Sequence, residues 1–211
     1  MNNANNVKPR LKFKWLGVQH YPTFSSNMQA QATKRISAES SDVVWFCEHE
    51  PVYTTGRRGI NNSLATLKAP LIITERGGET TFHGIGQLMM YPILGLKAYR
   101  LNVRDYVNLL EQSCINLLNN YDIKAERNCG FPGVWVGDEK IAAMGLRINQ
   151  GVASHGMALN VHTDLSWFDA INPCGTSRKM TSMQALGCRD ISLENLALLW
   201  FEQLGLLLDK H

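Results

Sequence analysis

The covalent chemistry open to this chain rests on five cysteines and on a few lysine and histidine positions near glycine-rich stretches. A nucleophilic thiol needs access and a partner that favours the thiolate. Cys174 stands between Pro173 and Gly175 in INPCG, in a loop rather than on an apolar stripe. Cys47 lies in the β-prone run Val43-Val44-Trp45-Phe46-Cys47, and Cys114 lies on a helical apolar stripe, so both read as buried and inert. Cys129 and Cys188 lie in loops near basic residues and stay open on local grounds. The local sequence makes Cys174 a plausible nucleophile but supplies no partner for it.

Three further stretches could surround such a thiol. In GVWVGDEKIAAMGLR, Lys140 opens a strand whose next residues, Ile141 to Gly145, are small or apolar. A lysine entering so apolar a run can be partly desolvated. Most lysines are exposed, however, and the local reading favours a hairpin lysine pointing into water. In Arg76 to Gln87, RGGETTFHGIGQ, four of twelve residues are glycine. Glycine has no Cβ, so backbone there can approach a ligand closely. The stretch lacks the ending of a phosphate-binding P-loop, and no dinucleotide fingerprint opens a helix. A plain turn and a ligand loop are even readings of it.

In Ser154 to Val161, SHGMALNV, strand alternation puts His155, Met157, Leu159 and Val161 on one face. Ser154, Gly156, Ala158 and Asn160 share the other, which is bare enough for an elongated apolar ligand or for a closely packed strand. The six histidines show no metal-ligand spacing, so no metal is expected.

The elements that must position these residues are legible in outline. Phe24, Met28, Ala32 and Ile36 recur four apart and predict a helix over 24–39. Val107, Leu110, Cys114 and Leu117 predict a second over 104–120, and a third is expected over 192–208. Strands are expected at Val43 to Cys47, Leu71 to Thr74, Gln87 to Leu94, Gly133 to Val136, Lys140 to Ile148 and Val152 to Val161. The turns Gly137-Asp138-Glu139 and Asn149-Gln150-Gly151 make the last three an antiparallel meander. Strands and helices do not alternate regularly, so an α+β fold is predicted, a mixed and largely antiparallel sheet flanked by helices.

The chain has 211 residues, 45% hydrophobic and 18% charged, with a net charge of +3. That is ordinary globular composition and suits one domain over 1–211, with 1–12 expected as a flexible segment. The charge is too small to argue for nucleic acid without a clustered basic surface. No signal-peptide core follows the polar, basic start, and no run is long enough to span a membrane. An odd cysteine count without CxxC argues for free thiols in a reducing, cytoplasmic setting.

Taken together and in order, EHEPVYTTGRRG from Glu48, RGGETTFHGIGQ, PGVWVGDEKIAAMG, SHGMALNV and INPCG strongly resemble the lipoyl(octanoyl) transferase family. The resemblance runs from about Trp15 to the final helix. It implies a biotin/lipoate ligase-like fold. It also implies transfer of an octanoyl group from acyl carrier protein to a lysine of a lipoyl domain, through a cysteine thioester. Cys174 matches the family nucleophile, and Lys140 the lysine beside it that favours the thiolate. Arg76, Gly77, Gly78, Glu79, Thr80, Thr81, Phe82 and His83 match the substrate loop. Ala143-Met144-Gly145 and Gly156-Met157-Ala158 match two further substrate-contacting segments.

The implied acceptors are lipoyl domains of 2-oxoacid dehydrogenase complexes and the glycine cleavage H protein. No cofactor, nucleic acid or membrane is implied. Arg57-Arg58 and Arg76 could help engage acidic partners, although a pair such as Arg57-Arg58 is usually a solvated loop. Phe82 and Ile85 depart from the family loop, which commonly carries Tyr and Pro there. An ATP-dependent lipoate or biotin ligase and a non-catalytic lipoyl-domain-binding module are the alternative readings.

Overall fold

The computed structural model describes residues 11–56, 67–171 and 179–211. Cys174, Arg57 and Arg58 lie outside the described residues, as do residues 1–10 of the expected N-terminal segment.

Among the described residues ten strands form two sheets. The strands are β1 (Lys12–Gln19), β2 (Val43–His49), β3 (Val52–Thr55), β4 (Leu71–Ile73), β5 (Thr81–His83), β6 (Gln87–Gly95), β7 (Glu126–Asn128), β8 (Phe131–Val136), β9 (Glu139–Asn149) and β10 (Val152–Asn160). The helices are α1 (Tyr21–Ile36), α2 (Val103–Asn119) and α3 (Leu193–Leu208). The main sheet runs β1-β2-β6-β10-β9-β8-β7, and a small one runs β4-β3-β5. In the main sheet only β1 and β2 pair in parallel, so the sheet is mixed and largely antiparallel, as predicted.

The β9–β10 turn places Gln150 at φ 47° and Gly151 at φ 77°. Two left-handed residues in a two-residue loop match the right-handed twist of the strands they join. This hairpin sets the register Met157↔Met144 and Gly156↔Gly145, which brings the two small-residue segments side by side.

Helix α1 covers one face of the sheet, burying Phe24 and Met28 against Trp45, Met89, Ile93 and Ala158. It starts earlier than expected because Pro22 fits the first turn, where no N–H is needed. It stops at Ile36, shortly before Ala38 turns left-handed at φ 59°. Helices α2 and α3 share the opposite face and a larger core with Phe46, Leu88, Met90 and Leu159. The Trp200 indole N–H donates to Ser113 Oγ at 2.9 Å and ties these two helices together. Asn102 caps α2 by accepting the Asp105 N–H at 2.9 Å. A third cluster, Tyr53, Phe82, Phe168 and Ile171, packs under the small sheet.

Two expectations need correction. The segment taken as flexible up to residue 12 ends in a strand, because Lys12 opens β1 and pairs with Val43. The buried stripe of α2 passes through Tyr106 rather than Val107, which lies half-buried at a cleft. The strand expected from Leu71 forms as β4 and pairs in parallel with β3 in the small sheet. Among the described residues no helix is long and apolar enough to cross a membrane.

Candidate active site

A cleft of about 510 Å³ opens between the glycine-rich loop before β5, the centre of the β9–β10 hairpin and the turn before β8. Its walls include Arg76, Gly77, Gly78, Glu79, Thr81 and His83 from the loop and β5. Ala143, Met144 and Gly145 come from β9, and Gly156, Met157 and Ala158 from β10. Lys140, His155, Tyr21, Val107 and Pro132 complete the part that matters here.

The small residues have two uses. A Cβ on Gly145 would lie 2.7 Å from the Arg76 side chain, so only glycine lets the loop seat on β9. A Cβ on Gly156 would lie 1.9 Å from the Met90 carbonyl oxygen, so β6 and β10 approach closely there. Close packing and a bare cleft wall are therefore both true of this strand.

Alternation along the chain separates the remaining loop residues. Thr80 donates to Thr55 Oγ1 at 3.0 Å, away from the cleft. Phe82 stacks on Trp167 with centroids 4.8 Å apart and belongs to the third core cluster. Neither lines the cleft, whereas their neighbours Glu79, Thr81 and His83 do.

Lys140 is buried, 7% exposed, against the local expectation of a solvated hairpin lysine. Its backbone N–H donates to Lys179 O, and its carbonyl accepts the Thr181 N–H, each at 3.0 Å. The segment 179–181 therefore runs beside it as an added edge. Its ammonium donates to Pro132 O at 3.1 Å and stands 4.7 Å from the Trp135 ring centroid. A carbonyl and an aromatic face are both suited to a cation withdrawn from water.

The opposite wall holds a directed chain of hydrogen bonds. Gln87 donates its amide Nε2 to Asn160 Oδ1 at 2.8 Å, so its Oε1 accepts the His83 Nδ1–H at 2.8 Å. His83 Nε2 is then the acceptor for the Thr54 hydroxyl at 3.1 Å. Thr54 Oγ1 in turn accepts from Arg76 at 2.9 Å. At the other end Asn160 donates to Thr181 O at 3.0 Å, and the Thr181 N–H reaches Lys140 O. A continuous path thus joins Arg76 to the Lys140 backbone. Both nitrogens of His83 are used within it, which suits a structural post rather than a proton carrier.

Burial, then the charges of His49 and Arg76, push His83 down to about 3. Burial, then Arg76 and Arg147, push His155 down to about 4. Burial likewise pushes His49 down to about 4; its Nδ1–H donates to Gln19 O and its Nε2 accepts from Tyr91. All three are neutral near pH 7.

Arg76 is also nearly buried and its guanidinium faces carbonyls: Thr54 O at 2.7 Å, Glu79 O at 3.0 Å and Gly77 O at 3.0 Å. Its Nε is buried without a partner among the described residues. His155 departs from the simple alternation of its strand. It sits at φ 59° and lines the cleft within electrostatic reach of Arg76, while Met157, Leu159 and Val161 enter the large core.

The described thiols separate as expected. Cys47 and Cys114 are buried and burial pushes both thiols up, so neither offers a thiolate. Cys129 is exposed and Cys188 half-buried. Tyr21, Tyr91, Gln87 and Thr54 gave no local signal in the sequence, because their roles exist only through partners far along the chain. The Gly77 and Gly86 N–H groups are occupied by Leu146 O and the Glu48 carboxylate, so neither can serve a developing oxyanion.

Comparison with known proteins supplies the lineage. Residues 22–205 match the family described as lipoyl protein ligase A/B catalytic domain. An octanoyltransferase of Dechloromonas aromatica (strain RCB) is 47% identical over 159 residues, covering 75% of this chain and 77% of that protein. Among solved structures, the bi-partite lipoate protein ligase of Thermoplasma acidophilum aligns with a TM-score of 0.71 at 15% identity, over 96% of this chain and 84% of that one. A biotin protein ligase from Aquifex aeolicus in complex with biotin and ATP aligns with a TM-score of 0.61 at 14% identity, over 94% and 71%. At such identities the structural likeness establishes the lipoate/biotin ligase fold. Joined with the match in sequence, it places the chain in the octanoyltransferase family, a family of acyl-transferring enzymes.

Proposed function

We propose that the cleft is the site of a two-step octanoyl transfer from acyl carrier protein to a lysine of a lipoyl domain, with Cys174 as the intermediate acyl carrier. The observation that carries the reading is the burial of Lys140 at the cleft wall, with Lys179–Thr181 bonded along it. In sequence, Lys179 follows Cys174 by five residues. A cation held near a thiol favours the thiolate, the nucleophilic form.

In the first step the Cys174 sulfur attacks the donor thioester carbonyl. A new C–S bond forms, the bond to the carrier's pantetheine sulfur breaks, and that sulfur leaves with a proton from the Lys140 ammonium, which is left neutral. In the second step the acceptor amine attacks the enzyme thioester. The C–N bond forms and the C–S bond breaks. The proton released by the amine passes to Lys140, which then faces the departing Cys174 thiolate as its counter-ion. Thioester to amide is downhill, so the transfer needs no nucleotide.

The small and apolar side chains of Ala143, Met144, Met157 and Ala158 suit a narrow acyl slot. Burying a methylene is worth about 0.8 kcal/mol, so about six would contribute nearly 5 kcal/mol before the costs of binding. The acceptors proposed are lipoyl domains of 2-oxoacid dehydrogenase complexes and the glycine cleavage H protein.

The test is mass spectrometry of the protein mixed with octanoyl-acyl carrier protein in the absence of ATP. An octanoyl adduct on Cys174, labile to hydroxylamine and absent in Cys174→Ser, is expected. An adduct that persists on another cysteine would sink the residue assignment. A strict requirement for ATP would point instead to a ligase.

A further inference from the structure

One peptide group stands between a buried carboxylate and the cleft lysine. Glu111, on α2, is 5% exposed. Its Oε1 accepts the Gly133 N–H at 2.9 Å. The carbonyl of that same peptide, Pro132 C=O, accepts the Lys140 ammonium at 3.1 Å. In a trans peptide the N–H and C=O point opposite ways, so carboxylate and ammonium sit on opposite sides of one planar group. The carboxylate polarises the N–H, and this strengthens the carbonyl as an acceptor for the cation.

The surroundings keep the relay in place. The second carboxylate oxygen of Glu111 meets Arg127 Nε at 3.1 Å. Arg127 is fixed in turn by Asn108 O at 2.8 Å and Gln112 Oε1 at 2.9 Å, both on α2. Gly133 has φ 126°, and a Cβ there would meet Ala142 O at 2.5 Å and Lys140 Cε at 3.4 Å. The glycine therefore lets the peptide lie against the lysine stem. Glu111 thus reaches the cleft lysine through a backbone group rather than by direct contact.

We infer that Glu111 is a positioning residue for the transfer reaction, holding the Lys140 ammonium at the cleft through the Pro132–Gly133 peptide. The inference rests on the proposed role of Lys140. A purely structural Glu111 would only anchor Arg127 and the β7–β8 turn, and its loss would lower stability without touching turnover selectively.

The test uses the full chain with Glu111→Gln, Glu111→Ala, Lys140→Ala and the Glu111→Gln/Lys140→Ala pair. Transfer kinetics are measured together with the 15N signal of the Lys140 ammonium, which needs no turnover. Glu111→Gln keeps an acceptor but loses the charge. It should lower kcat, by up to about 100-fold, and leave KM for the acyl donor little changed. Glu111→Ala should fall further, and the slowly exchanging Lys140 signal should broaden away. In the pair, Glu111→Gln should cost nothing beyond Lys140→Ala, as expected for residues that act through one another.

Additive losses in the pair, or a Lys140 signal unmoved in Glu111→Gln, overturn the inference. Should Glu111→Ala not fold, the isosteric Glu111→Gln carries the same comparison. Full transfer by Lys140→Ala defeats the proposed role of the lysine itself, a result distinct from failure of the relay alone.

Discussion

The two walls of the cleft both bury basic groups, and they treat them in opposite ways. On the β3–β5 side, Arg76, Thr54, His83, Gln87 and Asn160 spend their polar atoms largely on one another and on backbone. On the β8–β9 side, Lys140 makes one side-chain hydrogen bond among the described residues, though an ammonium carries three N–H donors. A satisfied network is rigid and chemically quiet. Among the described residues one carbonyl and one indole face hold the Lys140 ammonium. The difference separates the wall that shapes the cleft from the wall that can do proton and charge work in it.

The largest expected effect falls on the second wall. Lys140→Ala should lower kcat for octanoyl transfer by roughly 100- to 10,000-fold, the range for loss of a positioned acid–base group. Its melting temperature should hold or rise, since a buried charge is removed. A melting temperature that falls along with kcat would make Lys140 a structural cation and erase the contrast between the walls.

Acid should act first on the quiet wall. Burial holds His49, His83 and His155 well below the ordinary histidine value of 6.5, at about 4, 3 and 4. Below pH 6.5 the unfolded chain therefore binds protons that the folded chain refuses. Stability is fully present above that pH and is lost progressively as pH falls through the folded values. Thermal melts from pH 7 to pH 4 should show a steady fall, and His83→Gln should flatten part of it. A flat profile would mean that these rings are not buried as neutral groups.

A smaller effect is expected at the link between the walls. Asn160→Ala leaves Gln87 Nε2 and Thr181 O without their partners, which should cost about 1–3 kcal/mol in urea unfolding. Because Thr181 also binds the Lys140 backbone, kcat should drop as well, by much less than in Lys140→Ala. The smallest effect is expected for Trp135→Leu. It removes a cation–π contact worth about 0.5–2 kcal/mol and should change kcat only a few-fold. An effect as large as that of Lys140→Ala would show that the indole, rather than the carbonyl, fixes the ammonium.

Much of this molecule is legible along the chain. The β8–β9–β10 meander follows from two turn signals, and the first two helices follow from apolar residues three and four apart. Cys47 and Cys114 read as core because their neighbours are apolar at the right period. Strand β1 was missed because Lys12 and Lys14 disguise an alternation with Phe13 and Trp15. Its partner, β2, lies beyond a helix, so nothing local announces the pairing. Lys140 was misjudged locally for a similar reason: what it packs against is segment 179–181 and, on β8, Pro132 and Trp135, none adjacent to it in sequence.

The three helices, six of the strands, the β8–β9–β10 hairpins and, through five motifs in order, the family are readable along the chain. These depend on short-range periodicity, turn chemistry and residue identity, which survive in a one-dimensional string. The burial of Lys140, the turn of His155 into the cleft and the use of both His83 nitrogens arise only in the folded chain. Folding also brings Glu111 to the peptide that holds Lys140. Each of these depends on pairs separated by many residues, such as Gln87 with Asn160 or Glu111 with Gly133, whose meeting is set by strand order and register. Burial and hydrogen-bond direction are properties of such meetings, so they appear only once the sheet is assembled.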